Sequence, residues 1–440
     1  MLLGVLQIFL FVFTIVISFS AWSARKTEWA LNADLKLESI YFPEDIGEDT
    51  NQNLNKLTVI PLYRWRYKDD LRFFFKGDLT WDPQNKSSEE QVFADASELY
   101  LKYSRPGYTL QAGNTLYNWG ATDGYNPLDV LNAKQYYDPL HSKKLGAPSL
   151  NASISTETLN FDFIYIPYQR ESLMPGPQSR WLPREVFIPQ VPENDLVLLL
   201  PENLRYKYGS REQLDHALEN NFAFRAQWQV ASIDMALIAY EGANSFPIVQ
   251  PVVTGDIIQV SPKTVIDVDP DVTLNLKDYR QRLVGFSWVS SQWNFLLKYG
   301  GTYAQPLGDD PLLPGWIQEN IIGVEKSFEV GSSGMLIAIL QHSFINSEIR
   351  NDSNLSYTEI FRNSWMAGGR LSWKEVWTLN LLALYNANDE SNFEEISLSR
   401  RLYDAWTLSF TVDYFSGPAT SPLGIYSKND SYALSLSRSF

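Results

Sequence analysis

Alternation with a period of two dominates this chain. Trp29, Leu31, Ala33, Leu35, Leu37 and Tyr41 share one parity, with Asn32, Asp34, Lys36 and Glu38 between them. Successive residues of a strand face opposite sides, so this pattern predicts a strand with one apolar and one polar face. The pattern returns at Leu57, Val59, Tyr63, Trp65 and Tyr67, against Arg64, Arg66 and Lys68. After a tight turn at Asp69-Asp70 it continues with Leu71, Phe73, Phe75, Leu79 and Trp81, against Arg72, Lys76 and Asp78. Leu99, Leu101 and Tyr103 lead through the turn residues Arg105-Pro106-Gly107 into Tyr108, Leu110 and Ala112. The chain ends in the same way. Tyr432, Leu434, Leu436 and Phe440 fall on one parity, and Ser431, Ala433, Ser435, Ser437 and Ser439 on the other. Arg438 breaks the apolar parity near the chain end, where a long side chain can snorkel to headgroups.

Further strands are expected near 148–156, 158–168, 222–230, 233–239, 278–290, 292–304, 319–329, 333–345, 363–374, 376–388, 394–404 and 405–416. The total is about 18, with 16 possible, and an even number places both chain ends on one side of the membrane. Short turns then face the periplasm and long loops the exterior. An all-β, transmembrane antiparallel barrel is the fold this predicts. Pairing the last strand with the first leaves no unsatisfied edge in lipid. A soluble repeat solenoid needs a fixed period, and none is present. The strand near 278–290 is ambiguous, because Arg280 and Arg282 share parity with Val284, Phe286 and Trp288.

Composition fits this picture. Aromatic residues make up 14% of the 440-residue chain, as interfacial girdles require. There are no cysteines, which excludes a disulfide framework and a thiolate metal site. A formal charge of −15 argues against nucleic-acid binding. Residues 1–23 hold an apolar run, Leu2 to Val16, followed by small residues, and read as a secretory signal with cleavage after Ser20 or Ser23. A lasting helical anchor is the rival. Residues 24–440 read as one barrel domain. The terminal residues Tyr432, Leu434, Leu436 and Phe440 resemble the assembly signal of Gram-negative outer-membrane proteins. That resemblance implies the barrel-assembly machinery, outer-membrane lipid and lipopolysaccharide as partners.

The loop after the fifth strand is dense in turn and capping residues: Asn118-Trp119-Gly120, Asp123-Gly124, Asn126-Pro127-Leu128-Asp129 and Tyr136-Tyr137-Asp138-Pro139. A later loop carries Gly176-Pro177-Gln178-Ser179-Arg180-Trp181. Over residues 97–183 this spacing resembles a group of poorly characterised Gram-negative outer-membrane barrels of the DUF1302-like type. Asn114 stands where that pattern has arginine. The resemblance implies passage of small or amphipathic molecules and no established substrate.

The residues themselves support a porin-like channel narrowed by the 118–147 loop. Asp123, Asp129 and Asp138 on that loop would face Arg64, Arg66, Arg72 and Lys76 on the wall, since facing rows of opposite charge select solutes by field and size. Aspartates that merely cap turns are the plain alternative. No cofactor or catalytic group is expected. His141-Ser142 and His342-Ser343 are adjacent, and so point to opposite faces of a strand rather than meeting as base and nucleophile. Asp267, Asp269 and Asp271 alternate as in calcium loops but lack the glycine turn, and read as a solvated loop. The apolar stretch Asp195 to Leu204 is a candidate mouth cover or binding patch. It supports the second functional reading, a non-conducting adhesin or receptor.

Overall fold

The computed structural model describes residues 27–47, 49–183, 196–199, 201, 203–260, 264–348, 357–403 and 405–440. The expected signal segment lies outside the described residues. Eighteen strands form one sheet: β1 (Thr27–Tyr41), β2 (Asn53–Tyr67), β3 (Leu71–Trp81), β4 (Val92–Arg105), β5 (Tyr108–Thr115), β6 (Ala147–Ser155), β7 (Leu159–Tyr168), β8 (Glu219–Val230), β9 (Ile233–Ala243), β10 (Arg280–Gln292), β11 (Phe295–Leu307), β12 (Ile317–Val330), β13 (Gly334–Ser347), β14 (Asn363–Trp373), β15 (Trp377–Asn386), β16 (Ser391–Tyr403), β17 (Trp406–Ser416) and β18 (Ser431–Ser439). Each pairs antiparallel with its neighbours. The terminal strand closes the ring on β1, from Asp34 opposite Ser439 to Tyr41 opposite Tyr432. Beyond the strand, the Phe440 amide donates to the Ala33 carbonyl at 2.9 Å. The fold is a closed barrel with no free edge, which lipid demands.

The apolar parity of each strand points outward. Trp29, Leu31, Leu110, Phe163, Leu237, Leu381 and Leu434 are exposed on that face. Arg438 lies on it too, with its guanidinium over the rings of Phe440 at 4.3 Å and Trp406 at 5.2 Å. Such stacking weakens the cost of a charge at the membrane boundary. Arg282 sits at the extracellular rim, where it donates to Glu241 at 2.9 Å, while Arg280 donates to the carbonyls of Glu219 and Asn220. Their position at the strand start explains basic residues on an apolar parity. Trp293 is not part of β11: it and Asn294 form the turn, both at positive φ, as a two-residue hairpin with matched twist requires.

The inner face departs from uniform polarity. In the extracellular half, inward residues such as Ile164, Ile166, Ile238, Leu283, Ile321, Met366, Phe393 and Phe415 are apolar and buried. Loops fold inward and pack on them. Tyr117, Trp119, Leu128 and Leu131 join the β7–β11 wall, and Leu140, Phe361, Trp181 and Leu423 join the β12–β17 wall.

Outside the mouth, two long loops build a second sheet. Ile248–Gln259 pairs antiparallel with Thr264–Asp278, whose other edge takes Leu196–Leu199 and Arg205–Gln213 in parallel. Asp267, Asp269 and Asp271 therefore lie on a strand and not in a loop. Val268, Val272, Leu274 and Leu276 alternate with polar residues as a strand should, and Pro270 is tolerated because the register slips beside it, between Val253 and Gly255 of the partner. Asp269 accepts from Thr254 and Asp271 from Arg205. In the 195–204 stretch Leu204 is buried under this sheet and Leu199 is exposed.

Candidate pore interior

The inward parity of β2, β3 and β4 forms rows across the wall. Near the periplasmic turn, Arg66, Arg72 and Lys102 stand side by side. The next row holds Arg64, Phe74 and Tyr100, and the next Leu62, Lys76 and Glu98. Arg66 is ion-paired with Glu28. The Arg64 guanidinium lies 5.8 Å from the Phe74 ring centroid. Among the described residues, Arg64, Arg72 and Lys76 have no carboxylate within 4 Å, but Lys76 stands opposite Glu98 in the ladder, whereas Arg64 and Arg72 have no acidic neighbour in their rows, so the charge of these two arginines is not neutralised locally.

The loop between β5 and β6 crosses to the far wall. Asp123 Oδ2 accepts from Lys298 Nζ of β11 at 2.7 Å, and the same ammonium donates to Glu325 of β12 at 2.7 Å. The Gly124 amide donates to Gln341 of β13 at 3.1 Å, and the Tyr125 hydroxyl to Glu319 of β12 at 2.7 Å. Tyr125 also stacks on Phe361, ring centroids 4.4 Å apart. Leu128 sits against two glycines of the wall. A Cβ at Gly285 would lie 2.8 Å, and one at Gly300 3.0 Å, from its methyl groups. Only glycine lets the loop approach this closely.

Further along, Asp129 is bound by Lys144 at 2.6 Å and by Lys134 at 3.7 Å, all within the loop. Burial depresses the Lys134 ammonium below its ordinary range, and Asp129 only partly restores it. Asp138 Oδ1 accepts from the amides of Leu140 and His141, and its Oδ2 holds His141 Nδ1 at 2.9 Å. His141 Nε2 reaches Glu395 of β16 at 2.7 Å. Burial opposes charge on this imidazole, but the two carboxylates override it and push its pKa up to about 11. The loop returns by Lys143, which pairs with Asp78 of β3 at 3.1 Å.

The three loop aspartates thus meet Lys298, the pair Lys134 and Lys144, and His141. None of them is paired with Arg64, Arg66, Arg72 or Lys76. Asp138 does cap a turn, while Asp123 reaches the wall. The wall residues that anchor the loop, Glu319, Gln341 and Glu395, carried a signal in the sequence only as polar residues of inward parity. Gly285 and Gly300 carried one as glycines inside strands.

A closed 18-strand barrel with an apolar outer band, short periplasmic turns and long external loops is a membrane-spanning barrel of the outer-membrane type. Among solved structures, Pseudomonas aeruginosa OccK2 (OpdF), determined in complex with glucuronate, is similar over 94% of this chain and 98% of its own, at 10% identity and a TM-score of 0.51. Acinetobacter baumannii OccAB1 is similar over 94% and 96%, at 7% identity and a TM-score of 0.50. At such identities the likeness is one of fold. No family model matches the chain, and no curated protein matches it either, so the DUF1302-like resemblance gains no support there.

Proposed function

We propose that the protein is a porin-like channel of the Gram-negative outer membrane, passing small solutes through a lumen narrowed by the 118–147 loop. The observation that carries this reading is the pair of cations without an acidic neighbour, Arg64 and Arg72, on successive rows of the inner wall. Charge without a local partner inside a barrel has no structural use, whereas in a confined lumen it acts strongly on a passing ion. The solute class that such a wall favours is small and anionic. OccK2, of similar fold, was solved with glucuronate, a sugar acid.

A planar bilayer with purified, folded protein tests this. Single-channel steps are expected, with anions preferred over cations. R64Q with R72Q should shift the preference towards cations, and replacing residues 118–147 by a short turn should raise conductance. Folded protein that stays silent, with or without the loop, sinks the channel reading. A non-conducting surface-binding barrel would then take its place. The apolar packing of inward loops onto the wall in the extracellular half favours that second reading.

A further inference from the structure

Glu395 of β16 and Asp413 of β17 are direct cross-strand partners, and both face inward. Like charges opposite one another destabilise a ladder unless a cation lies between them. Asp413 Oδ2 accepts from Ser431 Oγ at 2.8 Å, but its Oδ1 is buried without a hydrogen-bond partner. Over this pair the crossing loop places His141. One atom from each of the three side chains can be chosen so that all lie within 4.8 Å of one another. Ligand atoms around a tetrahedral dication, at bonds of about 2.0–2.1 Å, stand roughly 3.3 Å apart, so the cluster closes on an ion by side-chain shifts of up to about 1.5 Å. Asp138 already holds the other imidazole nitrogen, at 2.9 Å. A carboxylate in that position fixes the ring and raises its basicity, as it does behind metal-ligating histidines.

We propose that His141 Nε2, Glu395 and Asp413 form a binding site for a transition-metal dication, with Zn²⁺ its natural probe, and that the ion fastens the crossing loop to β16 and β17. The imidazole sets the class, since Ca²⁺ and Mg²⁺ prefer all-oxygen sites. Binding exchanges one species for another: the Nε2 proton leaves to solvent, and the ion takes the lone pair it frees. The Asp413 oxygen that lacks a partner gains one. His141 keeps 45% of its side-chain surface exposed, so the site can be reached from solvent. This inference does not depend on whether the barrel conducts.

Full-length protein, folded in detergent and stripped with a chelator, should be titrated with ZnCl₂ in a calorimeter, in two buffers of different ionisation enthalpy. One ion per chain and release of about one proton are expected. H141Q and D413N should each weaken binding at least tenfold, and D138N by about 10–100-fold through the ring it orients. Heat-modifiable migration on gels confirms that each variant is folded. Zn²⁺ binding that is equal in wild type, H141Q and D413N overturns the assignment, as does no binding to folded wild type. Displacement of Zn²⁺ by equimolar Ca²⁺ would remove the imidazole from the site and overturn it as well.

Discussion

Replacing Asp123 by Asn isolates the charge that the crossing loop presents to the lumen. Lys298, Asp123 and Glu325 form a trio of one ammonium and two carboxylates, with the ammonium 2.7 Å from each, so their formal sum is −1. D123N makes it zero. Asp123 is 45% exposed, so its effect on folding is small, no more than about 1 kcal/mol for such a pair. Its effect on a passing ion is electrostatic. At a separation of about 6 Å and a dielectric constant of about 80, one charge contributes about 0.7 kcal/mol; it attracts a cation and repels an anion by this amount, so the cation-to-anion permeability ratio changes by about tenfold. Reversal potentials in asymmetric salt read this ratio directly, and D123N should move it towards anions. K298Q should move it the other way, since the trio then carries two negative charges. Asp129 serves as the control. Its side chain is only 12% exposed and is held by two lysines, so D129N should leave selectivity unchanged. Instead it should cost about 2 kcal/mol of stability, below the figure for a fully buried pair because the lysines keep about a fifth of their surface. The reasoning is refuted if D129N shifts selectivity as much as D123N, or if D123N shifts nothing.

Three further outcomes are expected. Deleting Phe440, or changing Leu434 and Leu436 to Asp, should abolish folding into membranes, because these residues close the ring and face lipid; normal yields of heat-modifiable barrel would contradict this. Single cysteines at Trp65, Phe75 or Phe295 should react with lipid-soluble reagents, and at Arg64 or Lys76 with water-soluble ones. At Lys298, whose side chain is 9% exposed beneath the loop, reaction with water-soluble reagents should be markedly slower than at Arg64. His141 has a folded-state pKa raised to about 11, so its contribution is complete below the unfolded value and is lost as pH rises towards the folded one. The stability gap between wild type and H141Q should be largest near pH 6 and shrink up to about pH 11, by thermal unfolding; a gap that widens with pH would show the opposite linkage.

The barrel was legible because each strand repeats the same two-faced pattern, and eighteen repetitions leave little room for another fold. Strand ends were less so. β4 starts at Val92 and not near Leu99, because Val92 to Glu98 contains a register slip between Lys76 and Asp78 of its partner that breaks the parity. The external sheet was missed for a related reason. Its strand Thr264–Asp278 alternates well, but Pro270 and three aspartates mimic a loop, and its parallel partners are far away in sequence. In the interior, Arg64, Arg66, Arg72 and Lys76 could be placed on one face by parity alone. The partners of Asp123, Asp129 and Asp138 could not, since local sequence does not say which wall a crossing loop will reach. Leu128 looked like any loop leucine until the glycines opposite it came into view.

The crossing loop also dictates an order of events. Every rung of the barrel except the closing one joins strands that are neighbours in sequence. The loop's own contacts are remote: Asp123 to Lys298 spans 175 residues, Gly124 to Gln341 spans 217, and His141 to Glu395 spans 254. Those anchors do not exist until β11, β13 and β16 have been laid into the wall, and contacts of long sequence separation carry the largest closure entropy. The chain must therefore travel through a stage in which the cylinder is complete or nearly so while residues 116–146 still hang in water. Protease added during refolding should cut this segment early, and lose access to it only after the wall has become resistant. Seen in time, the protein is a cylinder whose wall is raised first and whose interior is fitted afterwards by its own chain.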